Sequence, residues 1–294
     1  MNSSIDIDAP DRIFIALRDG EIAIRRYGRR GAPRFLFAHA NGFCASAYRQ
    51  VFAAMGDRFD IYAVDLRGHG RSRLPADPLT HRSMAAYGKD VAQLLDALGD
   101  DGEGAWTLAG HSLGAVSVTL AAVGRGDVAA LRLIEPVATP RWYSALARTP
   151  LWRFIAPNTP LVKGARGRRG HFADRAAVKA RYSTKSLFAG WADGVLDDYL
   201  TDGLYETQGG VALSCAPAWE AATFAGQAQD IWSAVKKAPA PIRVLAVRHP
   251  TTTVRPFAIR RFRKSGARVE IAEGLTHLAP FENAALAARF LLGE

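Results

Sequence analysis

A chain of 294 residues, 49% hydrophobic and 22% charged, can bury a sizeable core and lies far from disordered, collagen-like or disulfide-stapled compositions. Its 38 basic and 28 acidic residues leave a net charge of +10, a balance that suits nucleic acid, a membrane surface, an anionic substrate or simply a solvated arginine-rich face. No zinc-finger spacing and no RNA-binding aromatic signature occurs, so no nucleic-acid partner is expected.

The start, Met-Asn-Ser-Ser-Ile-Asp-Ile-Asp, lacks the basic and apolar pattern of a secretion signal. The longest mostly apolar stretch, 113–123, is too short to span a bilayer. Two cysteines, Cys44 and Cys215, are too few for a disulfide framework. These features together predict a cytoplasmic protein with no integral membrane insertion.

Alternation predicts a strand over 21–26, and short apolar runs predict buried strands over 34–39 and 60–65. Apolar residues at helical spacing from Met84 to Leu98 predict a helix over 83–98, with Gly99 as its stop. A strand over 106–109 leads through Gly110-His111-Ser112-Leu113-Gly114 into an apolar helix ending near Val123, and a further strand covers 131–134. Strands spaced by helices imply a mostly parallel sheet with helices on both faces, an α/β fold.

The rhythm is lost from Thr139 to about Cys215, a stretch holding Trp142, Trp152, Trp191 and a basic cluster. We read 139–215 as a mainly helical inserted cap, with 1–138 and 216–294 forming the core. The core pattern resumes with a helix over 219–235, a strand over 242–247, a helix over 254–264, a strand over 268–271 and a helix over 283–292. Two stretches carry eight cations each: 161–185, against Asp174 alone, and 241–269, with no acid.

The chemistry concentrates at Ser112. A G-x-S-x-G between a strand and a helix is the setting of a nucleophile elbow: the turn is tight, its small neighbours allow close backbone approach, and the serine oxygen stands at a helix N-terminus. Serine needs a base, and His277, in the loop after the strand 268–271, can reach the carboxyl edge of the sheet. An oxyanion hole would join the N–H of Leu113 to that of Asn41, in the loop His39-Ala40-Asn41-Gly42-Phe43; the Asn41 side chain is a further candidate donor. His39 reads as a loop brace and His111 as pointing aside.

Four motifs, His39-Ala40-Asn41-Gly42, Asp65-Leu66-Arg67-Gly68-His69-Gly70-Arg71-Ser72, Gly110-His111-Ser112-Leu113-Gly114 and Gly274-Leu275-Thr276-His277, occur in the order found in the α/β-hydrolase fold family, which the chain resembles on both sides of the cap. The resemblance implies the fold, a helical cap after the sixth strand, and a serine–acid–histidine triad. The family usually carries its acid after the strand that is 242–247 here, yet Arg248-His249-Pro250-Thr251-Thr252-Thr253-Val254-Arg255 has no carboxylate. Some members carry it after the preceding core strand, which points to Glu135. In the family the aspartate at the position of Asp65 braces the loop that follows it.

The expected activity is a cofactor-independent serine hydrolase acting on a carboxylic ester or related acyl compound, an apolar small molecule, through an acyl-enzyme on Ser112. Serine at 112 argues against the dehalogenases and epoxide hydrolases of the fold, which use aspartate. No metal-ligand spacing and no nucleotide-binding signature competes. Two alternatives stand: a ligand-binding protein on a hydrolase scaffold, motivated by the missing acid after 242–247, and a C–C bond hydrolase or lyase. Cap aromatics (Trp142, Tyr143, Trp152, Phe154, Phe172, Tyr182, Phe188, Trp191) are candidates for the roof of an acyl pocket or for cap core.

Overall fold

Pleat alternation sorts the central strands onto two faces. In β3 (Arg34–Ala38), Phe35 and Phe37 join one buried cluster while Leu36 joins the other, and all are fully buried. A computed structural model describes residues 11–99 and 104–294; the start of the chain, read above for a secretion signal, lies outside the described residues.

In chain order the first half contains β1 (Asp11–Leu17), β2 (Gly20–Gly28), β3, α1 (Arg49–Met55), β4 (Asp60–Asp65), α2 (Ala85–Leu98), β5 (Trp106–His111), α3 (Leu113–Ala121) and β6 (Val128–Ile134). There follow α4 (Arg141–Ala147), α5 (Trp152–Ile155), α6 (Pro160–Arg166), β7 (His171–Phe172), α7 (Arg175–Ser183), α8 (Val195–Gly203), β8 (Leu204–Thr207) and β9 (Gly210–Leu213). The chain closes with α9 (Pro217–Ala225), α10 (Ile231–Lys237), β10 (Ile242–Val247), α11 (Pro256–Lys264), β11 (Arg268–Ala272), α12 (Ala279–Glu282) and α13 (Ala284–Leu292).

Eight strands form one sheet in the order β1-β2-β4-β3-β5-β6-β10-β11. The β1–β2 and β2–β4 pairs are antiparallel and the rest parallel. Side chains of α1 and α13, among them Phe52 and Phe290, bury against one face. Those of α2, α3, α10 and α11, among them Val91, Val116, Trp232 and Phe262, bury against the other. This is the expected α/β architecture, a mostly parallel sheet flanked by helices. Among the described residues no helix is long and apolar enough to cross a membrane.

Four features differ from the sequence-based expectation. β1 pairs along its length with β2, and α1 follows β3; neither is marked by the motifs. The helix expected over 219–235 is two, because the Asp230 carboxylate accepts from the amides of Trp232 (3.0 Å) and Ser233 (3.2 Å) and starts α10 afresh. The stretch 139–215, expected to be mainly helical, also contains a small antiparallel sheet in the order β7-β9-β8.

One buried carboxylate fastens this stretch to the core. Asp202, at the end of α8, has a fully buried side chain bound by Arg12 of β1, Arg25 of β2 and Arg71 of the loop after β4 (Nε at 3.1 Å). Arg71 also donates to the Thr201 carbonyl (3.1 Å).

Candidate active site

The tight turn between β5 and α3 forces Ser112 to φ 55°, ψ −110°, a strained region for a residue with a side chain. Its N–H still donates to the Ile134 carbonyl of β6 (2.9 Å), so the turn stays anchored to the sheet. Glycine at 114 is obligatory: a Cβ there would lie 1.9 Å from the Ala38 carbonyl oxygen. That closeness brings the start of α3 against the end of β3, and so the amide of Leu113 beside the loop that carries Asn41.

Ser112, His277 and Glu135 form one hydrogen-bonded row. His277 Nε2 lies 3.0 Å from Ser112 Oγ, and His277 Nδ1 lies 3.0 Å from Glu135 Oε2. With Nδ1–H donating to the carboxylate, Nε2 is left as the acceptor for the serine hydroxyl. Ser112 is 8% exposed and Glu135 fully buried.

Glu135 leaves the end of β6 with φ 46°. Further donors converge on its carboxylate. The amide of Val247 (2.8 Å) and the hydroxyl of Thr252 (2.7 Å) reach Oε1, and the amide of Thr253 (2.8 Å) reaches Oε2. Burial alone would raise this carboxyl; the His277 ring and the Thr252 and Thr253 donors outweigh it and hold the group below its usual value. Thus the loop after β10, which has no acid of its own, supplies the donors that hold the acid coming from β6. The chemical signal was present as the run Thr251-Thr252-Thr253, but nothing in the sequence says that this loop folds over residue 135.

The histidine loop is held from two sides. The His277 amide donates to the Thr251 hydroxyl (2.9 Å), and the His277 carbonyl sits 2.8 Å from His111 Nε2. His111 does not simply point aside: its Nδ1 meets the Tyr48 hydroxyl (2.7 Å), which also accepts the Ala40 amide (3.1 Å). Tyr48, not singled out from sequence, therefore ties the loop after β3 to the residue before Ser112 and to the His277 backbone.

Around Asn41 the expectation needs one correction. Its side-chain nitrogen gives one hydrogen to the Glu220 carbonyl (3.1 Å), which ties the side chain to α9, so the backbone N–H is the stronger candidate donor. The amide of Leu113 is the first of α3 and, like all first-turn amides, has no partner within its helix. His39 braces the loop as expected, with Nδ1 against the Ala40 carbonyl (2.7 Å) and Nε2 accepting from the Leu66 amide (2.9 Å). Asp65 accepts from the amides of Ala45 (2.8 Å) and Arg71 (2.9 Å), bracing both flanking loops.

The roof aromatics divide. Trp142 and Phe154 are 66% and 60% exposed, so they roof nothing; Tyr143 and Trp152 pack on each other in a satellite cluster. Phe188 and Trp191 instead reach the group formed by Phe43, Tyr199 and Phe281, next to the Asn41 loop. Arg168 also points to that loop. It pairs with Glu220 and donates to the Tyr182 hydroxyl (2.8 Å), and its Nη1 would lie 3.4 Å from a Cβ on Gly42. Among the described residues no cluster of three metal-ligating side chains occurs.

A family model described as "Alpha/beta hydrolase family" matches residues 35–289, nearly the whole described core. The chain belongs to the alpha/beta hydrolase family. This hydrolase is 33% identical over 123 residues to 2-(acetamidomethylene)succinate hydrolase of Mesorhizobium japonicum, a match covering 42% of each chain. It is 33% identical over 117 residues to lipase LipV of Mycobacterium tuberculosis, covering 40% of this chain and 42% of that one. The matched stretch thus spans about two fifths of these curated relatives. Among solved structures, E-2-(acetamidomethylene)succinate hydrolase superposes with a TM-score of 0.75 at 21% identity, covering 97% of this chain and 98% of that one. The thioesterase domain from the curacin biosynthetic pathway superposes with a TM-score of 0.73 at 20% identity, covering 97% and 99%. At such identity these likenesses concern the fold.

Proposed function

We propose that this hydrolase cleaves a carboxylic ester or related acyl compound through an acyl-enzyme on Ser112. The observation that carries the reading is the row Ser112–His277–Glu135, with both hydrogen bonds at 3.0 Å and the serine in strained backbone at a helix start.

Ser112 Oγ attacks the acyl carbon while its proton passes to His277 Nε2. Glu135, ionised and held by its donors, fixes the imidazole tautomer and stabilises the imidazolium. The N–H groups of Leu113 and Asn41 receive the oxyanion. Collapse of the tetrahedral adduct breaks the bond to the leaving group, which takes the proton from His277. Water then gives its proton to the same nitrogen, attacks the acyl carbon and releases the acid with Ser112 restored. The aromatic group of Phe43, Trp191 and Phe281 offers an apolar surface for the acyl portion. The printed names of the relatives, a succinate-derivative hydrolase and a lipase, are in keeping with acyl hydrolysis and leave the acyl group open.

The ligand-binding alternative draws on the missing acid after β10; the contacts of Glu135 with that loop support the catalytic reading over it. The test is a serine-reactive fluorophosphonate followed by intact mass. The expected result is one adduct, absent from Ser112→Ala and formed more slowly by orders of magnitude in His277→Ala. A folded wild-type protein that takes no adduct would overturn the reading.

A further inference from the structure

The segment between Pro136 and Ala173 carries seven cations, Arg141, Arg148, Arg153, Lys163, Arg166, Arg168 and Arg169, and no carboxylate. Large apolar side chains stand out to solvent from the same segment: Trp142 (66% exposed), Leu151 (56%), Phe154 (60%) and Leu161 (63%). They lie on α4, just before and within α5, and on α6. The inward sides of these helices are fully employed. Tyr143 and Trp152 pack together, and Val162 and Ala165 of α6 bury against Ala221 of α9. The exposed set is therefore not core material left over; it is a second, outward apolar face. Arg153 lies against Phe154, its guanidinium 4.6 Å from the ring. Arg153, Lys163 and Arg166 are exposed and make no ion pair among the described residues.

We propose that the outer face of α4, α5 and α6 is a peripheral docking surface for an anionic lipid membrane. The argument is charge complementarity joined to exposed apolar area. Cations near an anionic leaflet are attracted additively, and Trp, Phe and Leu side chains enter the boundary between headgroups and acyl chains. Four apolar side chains spread over three short helices, with cations between them, suit a fluid surface; a folded acidic partner would need a matched pocket for each. The face also bears on the site. The Trp152 indole donates to the Ala225 carbonyl (2.7 Å) at the end of α9, and the Glu220 carbonyl of the same helix accepts from Asn41. A membrane held by α4–α6 would thus lie two packed layers from the loop beside Ser112, and the enzyme would meet acyl compounds that partition into lipid.

The inference does not depend on hydrolysis, so it is tested on Ser112→Ala by flotation with phosphatidylcholine vesicles with and without phosphatidylglycerol. Binding is expected only to the anionic vesicles, weakening as salt rises. Neutralising Arg153, Lys163 and Arg166 to Gln should weaken it about fivefold for each cation, on the order of a hundredfold together. Trp142→Ser with Phe154→Ser should weaken it by more than about tenfold. The charge-matched control on α11, Arg260→Gln, Arg263→Gln and Lys264→Gln, should leave binding unchanged. Equal losses from the two charge sets would mean attraction by net charge alone and overturn the proposal. Absence of flotation would do so too, as would conversion of a lipid-free dimer to a monomer by the Trp142→Ser and Phe154→Ser pair.

Discussion

Every group around the Glu135 carboxylate is a donor: two backbone amides, the hydroxyls of Thr252 and Thr253 and one imidazole N–H. Glu135→Gln would turn an NH2 toward one of them, so it cannot be a neutral replacement despite its equal size. The expected outcome is a fall of roughly 10³–10⁴ in kcat, the cost of a histidine left in the wrong tautomer. A stopped-flow measurement of acylation with an activated ester would read it directly, and full activity would remove Glu135 from its proposed role. At this scale the sequence was informative where chemistry is carried by side-chain identity. Ser112 stands out by its flanking glycines and strand–helix setting, His277 by its place after the last strand, and Glu135 only through the resemblance to family members that carry the acid after the preceding core strand. Thr252 and Thr253 were not legible, because their contribution is partly backbone and depends on where a loop comes to rest.

Elements decide how those residues meet. Six parallel strands, from β4 through β11 in the sheet order, open their carboxyl ends along one edge, and Ser112, Glu135 and His277 all follow such ends, after β5, β6 and β11. Buried apolar runs made these strands readable. β1 escaped because its alternation, Asp11-Arg12-Ile13-Phe14-Ile15-Ala16-Leu17, covers only half-buried positions at the sheet edge. The join within α9–α10 escaped because apolar periodicity continues across it. Between elements, Tyr48 spans the loop after β3 and the elbow after β5. Tyr48→Phe leaves the buried Ala40 amide without its acceptor and His111 Nδ1 without its partner. We expect a loss of about 1–3 kcal/mol in urea melts. We also expect a fall in kcat larger than the change in KM, because the Asn41 amide and the His277 loop lose a shared brace. An unchanged kcat would confine Tyr48 to packing.

For the molecule as a whole, burial of neutral histidines sets a response to acid. His69 and His81 are pushed down to about 4 by burial, and burial also holds His39 and His111 well below the usual imidazole range. Unfolded, each would titrate near about 6.5. Between these values the unfolded chain binds more protons, so the stability their neutral forms contribute is present above pH about 6.5 and is lost as pH falls toward about 4. Asp65, raised to about 6, and Asp90, Asp198 and Glu220, all raised chiefly by burial, act in the opposite sense, but the last three are each paired with an arginine, which offsets part of the rise. Thermal melts of Ser112→Ala between these limits should therefore show a midpoint falling with acidification; a flat profile would contradict the neutral burial of these rings. The fastening at Asp202 has a reach of its own. It gathers residues 12, 25 and 71 onto residue 202, so the outermost hairpin of the sheet and a helix nearly two hundred positions later share one joint. Tyr199, one helical turn before that joint, touches Phe43 in the loop that carries Asn41. Damage to the amino-terminal hairpin would accordingly register as a displaced aromatic group beside the Asn41 loop, far along the chain from the lesion.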